Sequence, residues 1–255
     1  MCCFSGPVRS VSATNIFARM GDGGRQVVVY SMTIDMAKPL AMVLPIPVAK
    51  GSGEKAVRLI DLENYPDFFS DLEAGFPIPR SRHLLDSLSL APATAAAELE
   101  VVQVGNFEAS FVPTVNDFSR LDERFRMPPD LFSKMPDYRH FGFAVFKLKP
   151  GTQRVHPMAF EFPTSLGDQV FFPTVHVHDG KVHASAEFDH VLYFQPSGAT
   201  LLKLSTWAES PKPAHHFINM KKSAGLVLAH EHCYKHEMHG RLPNKDTVLE
   251  VLKNS

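Results

Sequence analysis

Cysteine is scarce in this chain, and its three copies are Cys2, Cys3 and Cys233. Three cysteines do not make the disulfide framework on which small crosslinked proteins depend. With 255 residues, of which 44% are hydrophobic and 21% charged, the chain has the composition of an ordinary globular protein and can bury a core.

Long apolar runs and blocks of one charge sign are also missing. No stretch approaches the roughly 18 apolar residues that a membrane-spanning helix needs. The opening residues lack the basic and apolar regions of a secretory signal. The formal net charge is −1 and there is no long basic run, which argues against a nucleic acid partner. We therefore predict a cytoplasmic protein whose partner is a small-molecule substrate, not a membrane or a nucleic acid.

Proline and phenylalanine are abundant, with 20 copies of each, and they favour strands with sharp ends over a helical bundle. The β-branched run at 27–34 and the apolar run at 41–48 predict strands. Residues 57–75 predict a helix that ends at Gly75. The fold class that follows is α+β, with a mostly antiparallel sheet and a few short helices.

The whole chain, 1–255, is predicted to be a single domain. Residues 76–97 have little periodicity and are expected to form a loop or a crossover. Residues 223–255 are predicted to form a helical tail, whose last helix starts at Asp246 because aspartate is a good N-cap.

A β-hairpin is the strongest local pattern, over residues 171–190. Alternating residues flank Asp179-Gly180, the pair that two-residue hairpin loops prefer. In that register His176 lies directly opposite His183, and His178 points to the same face as His176. Three imidazoles would then converge on one face of one hairpin.

Three histidines on rigid strands, with room for a water or a substrate, have the open geometry of catalytic metal sites. The predicted ligands are His176, His178 and His183, with Cys2 as a nearby soft donor. Imidazoles suit copper, zinc or iron, and the thiol makes copper the favoured ion. The predicted function is a metal-dependent enzyme, an oxidoreductase in preference to a hydrolase. A non-catalytic metal-binding or sensing protein is an alternative.

Several blocks carry a resemblance to a known family. They are the Cys2-Cys3 pair, NIFAR at 15–19, VVVY at 27–30, AMVLPIPV at 41–48, VGNFEASF at 104–111, HFGFAVFKLKPG at 140–151 and FEFPTSLGDQVFFP at 160–173. In this order they resemble a bacterial family of unknown function, whose members are mostly secreted and have N-terminal cysteines. The resemblance covers roughly residues 2–175 and implies a shared fold, but no activity.

The first 22 residues are also similar to the opening of cysteine N-terminal-nucleophile amidases of the bile-salt hydrolase and penicillin acylase type. Removal of the initiator methionine would expose Cys2 with a free amine beside its thiol, and the amine can act as a base. The resemblance implies that Cys2 attacks an amide, Arg19 stabilises charge and Asp22 orients the amine. An amidohydrolase is therefore the alternative that needs no metal.

Histidine is dense in the tail at 230–239. On a helix, His232, His236 and His239 would share one face, but neighbouring lysines favour a solvated polar helix. His190 is expected on the opposite face of the hairpin from His183, so it would need a bulge to join the predicted metal site.

Overall fold

The computed structural model describes residues 2–77, 102–104, 107–121, 123, 126–127, 131, 135–178, 180–196, 200–201, 204–250 and 252–253. Its strands, in chain order, are β1 Cys2–Phe4, β2 Ser10–Met20, β3 Arg25–Met36, β4 Leu40–Ile46, β5 Arg58–Ile60, β6 Val102–Val104, β7 Phe107–Val112, β8 Gly142–Leu148, β9 Gly151–Arg154, β10 Met158–Pro163, β11 Gln169–Phe172, β12 His176–Val177, β13 Ser185–Phe194, β14 Thr200–Leu201, β15 Ala208–Glu209, β16 Tyr234–Pro243, β17 Thr247–Glu250 and β18 Leu252–Lys253. The described part of the chain has one α-helix, α1 Phe68–Ala74, and short 3-10 helices at Asp22–Gly24, Val115–Arg120, Pro136–Tyr138 and Ala214–His216.

The predicted α+β class is wrong, because the described residues form a β protein with several sheets. A six-stranded sheet has the order β12-β1-β4-β8-β7-β6, and an eight-stranded sheet has the order β15-β16-β13-β2-β3-β10-β5, with β9 also paired to β3. Two further pairs, β11-β17 and β14-β18, complete the strands. Most neighbouring strands are antiparallel, whereas β1 runs parallel to β12 and β2 runs parallel to β13.

The main core lies between the two large sheets. Alternate residues of β4 and of β3 point into this core, among them Met42, Leu44, Val28 and Tyr30. The residues between them are also buried, but in a different cluster on the outer face of each sheet. Both sheets are therefore covered on both faces, which explains why these strands read as unbroken apolar runs.

Separate layers cover the two outer faces. Described residues between β7 and β8, among them Phe118 and Leu131, pack on the six-stranded sheet in a cluster with Cys3, Val43 and Val145. Helix α1 packs on the eight-stranded sheet through its buried Phe68, Phe69 and Leu72. This helix is shorter than the predicted segment 57–75, although Gly75 does cap its C-terminus.

The predicted helical tail is also wrong wherever the structure describes it. Its residues form β16 and β17, and β17 pairs Val248 with Phe171 of β11. Burial alternates from residue to residue along Thr247–Glu250, which suits a strand with one covered face. Asp246 caps no helix, because β17 follows it; its carboxylate instead accepts hydrogen bonds from the backbone of Thr174 and Val175. The predicted loop at 76–97 lies outside the described residues from 78 onward.

Candidate functional site

The predicted hairpin at 171–190 does not form among the described residues. β12 pairs in parallel with β1, so that Cys2 lies beside His176 and Cys3 beside Val177. Residues 181–183 belong to no strand, and β13 pairs with β16 and β2 instead. The predicted pairing of His176 with His183 is therefore absent.

A side chain from the tail takes the place of the missing hairpin partner. Asn244 accepts a hydrogen bond from the backbone N–H of His176 at 2.7 Å. Its amide nitrogen donates to the carbonyl oxygens of His176, at 2.9 Å, and of His183, at 3.0 Å. The side-chain amide of Asn244 thus holds the backbones of His176 and His183 near one another, and strand pairing does not.

His176 meets His190, the histidine that sequence reasoning placed on the far face. Their Nε2 atoms are 3.2 Å apart and their ring centroids 4.6 Å apart. His190 is fully buried, and its Nδ1 atom has no hydrogen-bond partner among the described residues. The alternation in β13 could have indicated this, because Phe188, His190 and Leu192 share its buried face.

Both members of this pair are held in the neutral form. Burial and the neighbouring His178 lower the pKa of His176 to about 3. Burial and the neighbouring His176 lower the pKa of His190 to about 2. At neutral pH one Nε2–H therefore donates to the lone pair of the other Nε2, whichever ring carries that proton.

The other two predicted ligands, His178 and His183, line the same cavity as His176. The His178 ring centroid is 4.8 Å from that of His176 and 5.6 Å from the Phe4 ring. His183 is exposed, and it lines a cavity of about 490 Å³ together with His176 and His178. The structure thus brings the three predicted histidines to one cavity, and His190 contacts one of them, His176.

As they stand, these side chains do not form a complete coordination sphere. No group of three or more His, Cys, Asp and Glu side chains in the described ranges is placed to hold a metal ion. The side chain of Cys2 lies outside what the structure describes. Cys3 is buried, and it packs with Val177 on the outer face of the six-stranded sheet.

Cys2 and Arg19, two residues of the amidase hypothesis, lie on different sheets. Cys2 is on the six-stranded sheet, whereas Arg19 is on β2 of the eight-stranded sheet. The buried Arg19 guanidinium donates to the carbonyl oxygens of Leu226 at 2.6 Å, Gly225 at 2.9 Å and Met20 at 3.0 Å. Asp22 lies exposed in the 3-10 helix Asp22–Gly24. Arg19 therefore anchors the backbone at 225–226, and the amidase hypothesis stays a prediction.

The tail histidines are dispersed along β16 and the segment before it. His232 and His236 bond through Nδ1 to the carbonyl oxygens of Ser210, at 2.6 Å, and of Thr206, at 2.9 Å. His239 contacts Glu237 at 3.2 Å. Burial raises the pKa of the neighbouring Cys233 thiol to about 12, so it is not a reactive thiolate at neutral pH.

No helix within the described residues has both the length and the apolar character needed to cross a membrane.

Comparison with known proteins finds no family that matches this chain and no matching curated protein. Among solved structures, it is similar to baculovirus P35, with a TM-score of 0.49 and 15% identity over 96% of this chain and 98% of that one. A mutated baculovirus P35 after caspase cleavage gives a TM-score of 0.49 and 15% identity, over 95% of this chain and 100% of that one. P35 in the caspase-8/P35 complex gives a TM-score of 0.45 and 14% identity, over 95% of this chain and 97% of that one. Similarity of this size supports no conclusion about function.

Proposed function

We propose that this chain binds one transition-metal ion between His176 and His190 and is a metal-dependent enzyme acting on a small substrate. The observation that carries the proposal is the 3.2 Å distance between their Nε2 atoms. Two nitrogens bonded at 2.0–2.1 Å to one tetrahedral ion lie about 3.3 Å apart, whereas two on opposite sides of an ion lie about 4 Å apart. The pair thus has the spacing of neighbouring ligands.

The protonation of the pair also supports this proposal. A histidine binds metal through a neutral nitrogen, so a proton on the ligand atom competes with the ion. Because the pKa values of His176 and His190 are lowered to about 3 and about 2, proton competition is small at neutral pH. Metal binding would replace their mutual hydrogen bond, and the ring that donates this bond would have to carry its proton on Nδ1 instead of Nε2.

His178 is the proposed third ligand. Its ring centroid is 4.8 Å from that of His176, so it needs a side-chain rotation to reach the same ion. Three protein ligands leave a tetrahedral ion with one open position, which would face the cavity of about 490 Å³. The spacing suits tetrahedral zinc, which would favour a hydrolase. It also suits copper, which the sequence favours and which would favour an oxidoreductase.

The test is metal titration of untagged, chelator-treated protein with zinc and with copper, followed by calorimetry. We expect one ion per chain, with binding lost in His176→Ala and in His190→Leu. His183→Gln is the matched control, because His183 lines the same cavity but is not in the proposed ligand set. Retention of binding in His190→Leu would overturn the proposed site, and loss in His183→Gln would restore the ligand set expected from the sequence. Loaded protein without turnover in substrate screens would support the sensing alternative.

A second candidate function rests on the sequence between α1 and β6. Residues 78–101 contain a single aspartate, Asp86, within Leu84-Leu85-Asp86-Ser87. The solved structures named above include P35 after caspase cleavage and P35 in complex with caspase-8, and caspases cut after aspartate. We propose Asp86 as the position where this chain would be cut by such a protease, as a substrate or as an inhibitor.

Incubation with caspase-8 and intact-mass measurement would test this candidate. We expect two fragments that meet between Asp86 and Ser87, and no cleavage of Asp86→Ala. Asp61→Ala, which changes an exposed aspartate elsewhere, should be cut like the unmodified chain. An inhibitor would also lower the hydrolysis of a reporter peptide in proportion to the chain added and keep it low, whereas a substrate would lower it only until the chain is cut. An uncut chain that leaves the protease fully active would eliminate the candidate.

A further inference from the structure

The backbone that carries His176 is fixed on its tail side by side chains. Three successive N–H groups, those of Thr174, Val175 and His176, donate to side-chain oxygens of the tail. Asp246 accepts the first two at 2.8 Å and 2.9 Å, and Asn244 accepts the third at 2.7 Å. Asp246 is itself held by the Tyr138 hydroxyl, which donates to its second carboxylate oxygen at 2.6 Å.

Asn244 makes the bonds that a neighbouring strand would have made. A carboxamide has one acceptor oxygen and a donor nitrogen, as a peptide unit does. Asn244 uses the oxygen for the N–H of His176 and the nitrogen for the carbonyl oxygens of His176 and His183. Because β12 has only two residues, its pairing with β1 alone gives it few ladder bonds.

The position of the His176 ring depends on that backbone. His176 is on β12 of the six-stranded sheet, whereas its partner His190 is on β13 of the eight-stranded sheet. Their 3.2 Å contact therefore joins two separate sheets. Asn244 follows directly after β16, which is paired along its length with β13. The asparagine thus ties the backbone of one histidine to the sheet that holds the other.

We propose that Asn244 is a positioning residue for the histidine pair, one that holds His176 in register with His190 without itself being a ligand. This inference rests on the proposed metal site, and it deepens that proposal by naming what holds the two ligands at the required spacing. Outer residues that orient ligands commonly change metal affinity by 10- to 100-fold when they are removed.

The first measurement is metal affinity in Asn244→Ala and Asn244→Asp. We expect at least a tenfold loss of zinc affinity in the alanine variant. The aspartate variant keeps the acceptor for the His176 N–H but loses the donors, so a partial loss is expected. Asn219→Ala is the matched control, because Asn219 also bonds through its side chain to the backbone, at Lys222, but on an exposed turn away from the pair. Cobalt spectra of the loaded variants would show whether the coordination geometry changes, which a general loss of stability would not produce.

The second measurement needs no metal and separates this inference from the proposed function. A double-mutant cycle of His176→Ala and His190→Leu gives the coupling between the two rings from the unfolding equilibrium. One net hydrogen bond predicts a coupling of about fivefold in that equilibrium constant. We expect the coupling to vanish in the Asn244→Ala background and to persist in the Asn219→Ala background.

The outcomes are distinct. If the unmodified chain binds no metal, the proposed function fails, and the coupling alone decides the role of Asn244. If Asn244→Ala does not fold, Asn244→Asp provides both measurements. Full affinity and full coupling in the folded Asn244 variants would overturn the positioning role.

Discussion

Acid should destabilise this protein through the buried histidine pair. The expected effect concerns metal-free protein that is brought from pH 7 to pH 5. The pKa values of His176 and His190 are lowered to about 3 and about 2 in the folded chain, whereas an unfolded histidine titrates near 6.5. Between these values the unfolded chain binds more protons than the folded one, so stability present above pH 6.5 is lost as the pH falls.

The magnitude follows from the two shifts. Each buried imidazole lowers the free energy of unfolding by at most about 1.4 kcal/mol per pH unit below 6.5, and the two together by at most about 2.7 kcal/mol. From pH 7 to pH 5 the pair therefore contributes a loss of at most about 4 kcal/mol. Carboxylates add their own losses, so the informative quantity is the difference between the unmodified chain and His190→Leu.

Urea unfolding at pH 7, 6 and 5, followed by the fluorescence of Trp207, the single tryptophan, gives that difference. We expect His190→Leu to lose about 2 kcal/mol less than the unmodified chain over this range. Phe188→Leu is the control, because Phe188 lies against both rings, with centroids 4.6 Å from that of His176 and 5.2 Å from that of His190. It should lower stability at every pH without changing the slope. Equal acid losses in the unmodified chain and in His190→Leu would show that the histidine pair is not the source of the acid sensitivity.

Two further predictions concern stability. Arg19→Met should lower the free energy of unfolding by about 3 kcal/mol, because three carbonyl oxygens lose a charged donor. In denaturant titrations, Arg19→Lys should recover less than half of this free energy. Full recovery in Arg19→Lys would show that the shape of the guanidinium is unimportant. Gly142→Ala should cost about 1–3 kcal/mol, because a Cβ there would lie 2.6 Å from the Phe111 ring and 2.9 Å from Val48 Cγ2. Gly53→Ala, with no heavy atom within 4 Å of its Cβ, should leave the melting temperature unchanged; equal melting temperatures for the two variants would contradict the packing argument.

The sequence was a good guide to strands and a poor guide to how they assemble. The apolar runs at 27–34 and 41–48 are confirmed as the central strands β3 and β4. Their lack of alternation also indicates burial on both faces, which single-residue propensities do not convey. The tail was misassigned because Asp246 looks like a helix cap, whereas its carboxylate bonds to backbone at Thr174, 72 residues away.

The candidate site was predicted in part and for a reason that proved wrong. His176 and His178 do face one cavity with His183, but a hairpin does not bring them there. Pairing of β12 with the first strand of the chain is a long-range contact, and no local turn signal reports such contacts. The sequence did not predict His190 as part of the site, because its partner His176 lies on another sheet.

Capping of β12 by Asn244 and Asp246 has a consequence for association between molecules. This strand is the outermost member of the six-stranded sheet, and bare outer strands are where foreign chains add on and aggregation begins. The N–H and the carbonyl oxygen of His176, which an incoming strand would use, are already bonded to the Asn244 carboxamide. We therefore expect this short tail segment to disfavour the addition of a foreign strand at this edge of the sheet.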